Sequence, residues 1–161
     1  IVVRLVGSEM CIRDRLRILL MRISDNLIDD IANAPKWFFN AIKKEPTECE
    51  IENQKGNLSY SKWVCDSKNK NLLIFIHGTG AHKKWWYPIA PHFTKNSNVI
   101  AVDLPGMGDS GFREKYSIKD FGQCIISIIE KEKLNMSIDS VFIVGHSLGG
   151  QVAAYLSLIH I

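Results

Sequence analysis

Apolar and polar positions fall into two regimes along this chain. Between residues 16 and 34 the apolar side chains are Leu16, Leu19, Leu20, Ile23, Leu27, Ile28 and Ile31, with Arg22, Asp25 and Asp29 among them. That spacing predicts an amphipathic helix, and Pro35 predicts its end, because the residue before a proline is steered away from helical angles. Trp37, Phe38, Phe39 and Ile42 predict a second short helix that stops near Pro46. Residues 49–52 and 58–64 then read as two strands about a Gly56-Asn57 turn. In the second strand Leu58, Tyr60 and Lys62 lie on one side, and Ser59, Ser61 and Trp63 on the other.

A different pattern follows. Residues 71–76 (NLLIFI), 99–102 (VIAV) and 141–144 (VFIV) are apolar runs with no alternation. A strand that offers water neither face suits a parallel sheet covered on both sides. Helical patterns separate these runs, at 84–95 and at 118–134. The latter carries Phe121, Ile125, Ile128 and Ile129 on one face, with Ser117 and Asp120 spaced as a capping box. Strand and helix in alternation predict an α/β fold with a mostly parallel sheet.

Composition narrows the class. The 161 residues are 46% hydrophobic and 23% charged, which excludes a disordered chain, a collagen-like repeat and a disulfide-stapled miniprotein. The formal charge of +3 is small and spread along the chain, so no nucleic-acid partner is expected. Cys11, Cys49, Cys65 and Cys124 form no C-x-x-C pair and have no histidine at zinc-finger spacing, so reduced thiols and no metal are expected. The apolar run 18–21 is closed by Arg17 and Arg22, far short of a membrane span or a secretory signal. A cytoplasmic location is the expectation, and nothing here bears on oligomeric state.

The candidate chemistry lies at the ends of the apolar strands. Gly145-His146-Ser147-Leu148-Gly149-Gly150 leaves the strand 141–144 and enters a helical segment. A serine on so tight a turn takes strained backbone angles, and its neighbours approach too closely for Cβ atoms at Gly145 and Gly149. The helix that starts there turns free N–H groups and a positive dipole end toward the serine oxygen. The Leu148 N–H is then one oxyanion donor. His77-Gly78-Thr79-Gly80 ends the strand 71–76, where a parallel sheet sets it beside that turn. Thr79 N–H is assigned as the second donor, with Gly80 as the alternative, and His77 as a brace for the loop. Residues 103–111 (DLPGMGDSG) begin at the end of strand 99–102 and suit a tight surface turn, with Asp103 and Asp109 as caps. His146, His82, His92, Trp85 and Trp86 are read as packing or surface residues.

These three motifs, in this order and each behind a buried strand, resemble the α/β-hydrolase fold family. Residues 83–93 (KKWWYPIAPHF) are similar to that family's first helix after the oxyanion loop. The resemblance covers about residues 37–155. It implies Ser147 as nucleophile and a Ser-Asp/Glu-His triad. The implied substrate is a small molecule with an activated carbonyl, such as a carboxylic ester or thioester, and no metal or organic cofactor is implied. Serine rather than aspartate at the elbow disfavours the family's epoxide hydrolases and haloalkane dehalogenases. Acyltransferase, haloperoxidase-like and carbon–carbon hydrolase chemistries share the elbow and stay open, as does a non-catalytic binding protein on the same scaffold.

Both ends of the chain depart from this pattern. Residues 8–15 (SEMCIRDR) and 156–161 (LSLIHI) resemble translated sequencing-adapter sequence. Residues 1–15 and 156–161 are therefore expected to be non-native, and 16–155 to be the N-terminal part of a hydrolase domain cut after the elbow helix. No acidic residue follows Ser147, and the one later histidine, His160, lies 13 positions on. Along a helix that is about 20 Å, whereas a general base must sit within about 3 Å or one water of the hydroxyl. The triad acid and base are thus absent from the sequence, and the chain is expected to be inactive.

Overall fold

A computed structural model describes residues 33–53, 56–65, 67 and 70–159. The predicted helix over 16–34 lies outside these residues, save for its last two positions, and so does the adapter-like segment 1–15. The chain divides into two units, Ile1–Lys36 and Trp37–Ile161, and the sheet belongs to the second. The described helices are α1 (Lys36–Ile42), α2 (Ile118–Asn135) and α3 (Leu148–Ile159); the strands are β1 (Thr47–Asn53), β2 (Gly56–Trp63), β3 (Asn71–Ile76), β4 (Asn98–Val102) and β5 (Ser140–Gly145).

The five strands are ordered β1-β2-β4-β3-β5. β4, β3 and β5 run parallel, while the β1–β2 hairpin joins β4 antiparallel. Gly56 and Asn57 do not form the predicted turn, since both pair within β2, with Asn53 and Glu52 of β1. The three unalternating runs are the three parallel strands. Along β3 successive side chains point to opposite faces. Leu72, Ile74 and Ile76 pack with Phe121, Ile125 and Ile128 of α2 and with Val152 and Leu156 of α3. Leu73 and Phe75 pack on the other face with Ala90, Trp86 and Tyr87. Each such side chain, fully buried, contributes about 1.5–3 kcal/mol.

These faces fix the position of the site. The β3-to-β4 connection covers one face of the sheet and the β4-to-β5 connection, α2, covers the other, with β3 between its two partners. Where the winding direction reverses, the loops leaving the carboxyl ends of neighbouring strands part and open a crevice. Here the diverging ends are those of β3 and β5.

Two local differences from the sequence reading have physical causes. Residues 84–95 do not form one helix but two 3-10 turns, Lys83–Trp86 and Ala90–Phe93. Pro88 and Pro91 interrupt that stretch, each removing an N–H donor and restricting the residue before it. β2 is buried on both sides, Ser59 and Ser61 included, because a polar cluster rather than solvent meets its second face. Ser117 caps α2, with Asp120 N–H donating to Ser117 Oγ at 3.1 Å and the Ser117 hydroxyl donating to the Asp120 carboxylate.

β5 pairs only with β3, and among the described residues nothing pairs with its outer edge. Phe142 and Val144 are 53% and 42% exposed, and a groove of about 580 Å³ runs beside the strand, lined by Ile126, Ile129, Val141 and Ile143. An apolar strand with open backbone groups recruits other strands. The chain is expected to self-associate through β5, and Phe142→Lys to suppress this, as followed by light scattering. A wild-type chain that stays a monodisperse monomer and melts cooperatively would contradict the expectation.

Candidate active site

β5 ends at Gly145 and α3 starts at Leu148, so His146 and Ser147 alone turn the chain. Ser147 has φ 51°, the only positive value at a non-glycine position among the described residues. Holding an L-residue there costs about 1–3 kcal/mol. Three backbone bonds oppose that cost: His146 N–H to the Ile76 carbonyl (3.0 Å), Gly149 N–H to the His146 carbonyl (2.9 Å) and Gln151 N–H to the Ser147 carbonyl (3.1 Å). The turn closes so tightly that a Cβ on Gly145 would overlap the Gly149 carbonyl, and one on Gly149 would overlap the Ile76 carbonyl. The serine side chain is left exposed at the positive end of α3. The Leu148 N–H makes no hydrogen bond among the described residues.

The segment after β3 lies against this turn. A Cβ built on Gly78 would stand 3.2 Å from Ser147 Cβ and 2.9 Å from His146 Nδ1. Thr79 and Gly80 follow, both exposed, with Gly80 at φ 73°. Their N–H groups also lack partners among the described residues, whereas Ala81 N–H turns back to the Gly78 carbonyl at 3.2 Å. The fold therefore brings His77, Gly78, Gly145, Ser147 and Gly149 into one locality, with Thr79 next after Gly78 and Leu148 between Ser147 and Gly149.

His77 is fully buried. Its Nε2 accepts the Leu104 N–H at 3.1 Å, so the ring proton is on Nδ1, which donates to the Gly78 carbonyl at 2.7 Å. Both nitrogens are occupied, and the ring has no site from which to take a proton from a nucleophile. Burial lowers its pKa from the ordinary 6.5, against an opposing pull from the Gly78 carbonyl. The folded state thus favours neutral His77. That contribution is complete above the ordinary value and is lost as pH falls through the folded one. Asp109 has the same sign in a more acid window: the Lys83 hydrogen bond and charge lower its pKa, so its contribution is lost below the ordinary 3.8. The urea midpoint is expected to fall between about pH 7 and about pH 5, and His77→Gln to flatten that part of the profile.

Trp85 is exposed and its ring lies 5.2 Å from that of His146, itself exposed. Trp86 instead stacks on Phe75 at 4.8 Å. His82 and His92 are exposed. Asp103 is buried and accepts two backbone donors, Lys83 N–H (2.6 Å) and Asp109 N–H (2.9 Å). Sequence reading missed Lys83, which is 1% exposed and holds together groups from three other segments. Its neighbour Lys84 is exposed, and nothing in the pair of lysines distinguishes the two.

Residues 71–160 match the family model described as alpha/beta hydrolase fold. Among curated proteins, the chain is 28% identical over 89 residues to pimeloyl-(acyl-carrier protein) methyl ester esterase of Pseudoalteromonas atlantica, covering 54% of this chain and 31% of that one. It is 30% identical over 118 residues to human 1-acylglycerol-3-phosphate O-acyltransferase ABHD5, covering 72% and 33%. Among solved structures, the Cif epoxide hydrolase from Acinetobacter nosocomialis superposes with a TM-score of 0.59 at 29% identity, over 77% of this chain and 42% of that one. The chain spans about a third of the length of these curated relatives.

Proposed function

The chain belongs to the α/β-hydrolase fold family, and from that premise we propose that it carries the nucleophile half of a serine hydrolase acting on carboxylic esters or thioesters. The observation that supports this most is the backbone of Ser147, held at φ 51° and exposed at the start of α3. A serine kept in so costly a conformation, with unbonded N–H groups nearby, suits attack on a carbonyl better than a structural role.

In the reaction, Ser147 Oγ attacks the carbonyl carbon while its proton passes to a general base supplied outside these residues. The carbonyl π pair moves onto oxygen. Leu148 N–H and Thr79 N–H receive that oxyanion, and each such donor is worth about 10²–10³ in rate. Collapse expels the alcohol or thiol, which takes up a proton, and leaves an acyl group on Ser147. Water then repeats the sequence and releases the acid. His77 and Gly78 hold the oxyanion segment, and Gly145 and Gly149 permit the elbow to close.

The relative named as an epoxide hydrolase shares the fold, but the elbow residue separates the chemistries. A serine oxygen that opened an epoxide would be left in an ether, which has no carbonyl for water to attack, whereas acylation of serine leaves an ester that water can cleave. An acid-quenched incubation of a longer protein containing this segment with an aryl ester tests the reading. The acyl group is expected on the peptide bearing Ser147. Turnover with no adduct there, or with the adduct on another residue, would contradict it.

A further inference from the structure

Lysine is rarely buried unless its charge is paired, and Lys83 is among the most buried side chains of the unit, at 1% exposure. Its Nζ donates to Ser59 Oγ at 2.7 Å and to Asp109 Oδ2 at 2.6 Å, and it lies 3.2 Å from Asp103 Oδ2 and 3.3 Å from Glu48 Oε2. Asp103 is the hub of this cluster. One carboxylate oxygen accepts Lys83's own N–H at 2.6 Å, and the other accepts Asp109 N–H while facing the Lys83 ammonium. Ser110 Oγ donates to the Asp103 carbonyl and accepts Ser59 N–H, which ties the cluster to β2.

The arrangement fixes both ends of one short segment. At its start, His77 takes the Leu104 N–H. At its end, Lys83 is bound through main chain and side chain to Asp103. Between these anchors the small residues Gly78 and Ala81 are buried, while Thr79, Gly80 and His82 are exposed, so Thr79 and Gly80 have no burial of their own to hold them. A loop with few buried contacts is held by its anchors. We propose that Lys83 is a positioning residue, which through Asp103 fixes the 77–83 segment so that its N–H groups stand ready beside Ser147. The inference rests on the reading of Ser147 and this loop as an acyl-transfer site. Removing the ammonium leaves Asp103 buried without its counter-charge, and such an uncompensated group relaxes by moving toward water. The part of the structure free to move with it is the loop.

The test compares the 161-residue chain with Lys83→Met and Asp109→Asn by backbone ¹⁵N relaxation and by ¹¹B NMR titration with phenylboronic acid at alkaline pH. The boronic acid bonds to Ser147 Oγ, the serine proton goes to solvent, and the resulting tetrahedral boronate presents a hydroxyl where an oxyanion would be. In the wild type, order parameters at Thr79 and Gly80 should be near the value of about 0.85 typical of rigid backbone, and in Lys83→Met they should fall toward about 0.6. Boronate affinity should weaken by about tenfold or more, as expected for a displaced oxyanion donor. Asp109→Asn removes one of the two exposed partners and should move both readouts in the same direction by less; it decides the matter if Lys83→Met does not fold. Unchanged loop order and unchanged affinity in a folded variant would overturn the proposal. Ser147→Ala separates the two readings: if it binds boronate as wild type does, or if wild type binds none, the nucleophile assignment fails. Loop order still judges Lys83.

Discussion

In a longer protein that joins this segment to a downstream acid and histidine, Ser147→Ala is expected to lower kcat by at least about 10⁴-fold, with little change in KM. The loss should be that large because the acylated oxygen disappears, leaving only binding and oxyanion stabilisation. The 161-residue chain by itself is expected to show no hydrolysis of p-nitrophenyl acetate above buffer. No acidic residue follows Ser147, and His77 has both ring nitrogens engaged. Ser147→Ala should therefore change nothing in the short chain. Rapid turnover by that chain, abolished by the same substitution, would show that the segment holds a working base.

Gly149→Ala is expected to be, with Gly145→Ala, among the most damaging single-carbon changes in the described residues. Its Cβ would overlap the Ile76 and His77 carbonyls, which are main-chain atoms of the central strand's end and cannot rotate away. Gly145→Ala meets the Gly149 carbonyl in the same manner. Overpacking of this kind typically costs about 1–3 kcal/mol and more where only backbone can yield, a large share of a stability of about 5–15 kcal/mol. Gly80→Ala is the matched control. Its added carbon has nothing within 4 Å, so the cost is confined to its positive φ. Urea denaturation should order the three with Gly80→Ala mildest; equal losses at all three would mean that the close packing of the elbow contributes little.

What the sequence made legible followed from how locally each feature is encoded. Residues 71–76, 99–102 and 141–144 read as parallel strands because burial on both faces leaves no alternation to mistake, and they are β3, β4 and β5. The turn at Ser147 was readable because glycines at 145 and 149 are what a close backbone approach demands. Residues 84–95 misled because apolar spacing outweighed two prolines whose missing donors break the helix into 3-10 turns. The Lys83 cluster was invisible for a different reason. Its members come from β1, β2, the segment after β3 and the turn after β4, and only the folded register places Glu48, Ser59, Asp103 and Asp109 around one ammonium. Nor could alternation along β2 show that Ser59 and Ser61 are buried, since serine on a strand ordinarily marks a face open to water.

The central claim is that Ser147 is a nucleophile set on a strained turn beside an oxyanion site. Its most direct test is to label the longer protein with a fluorophosphonate and map the adduct by mass spectrometry. One equivalent on the peptide containing Ser147, absent in Ser147→Ala, is the predicted result. A folded protein that leaves Ser147 unmodified while its other serines remain equally unreactive would contradict the claim and point to a scaffold used without catalysis.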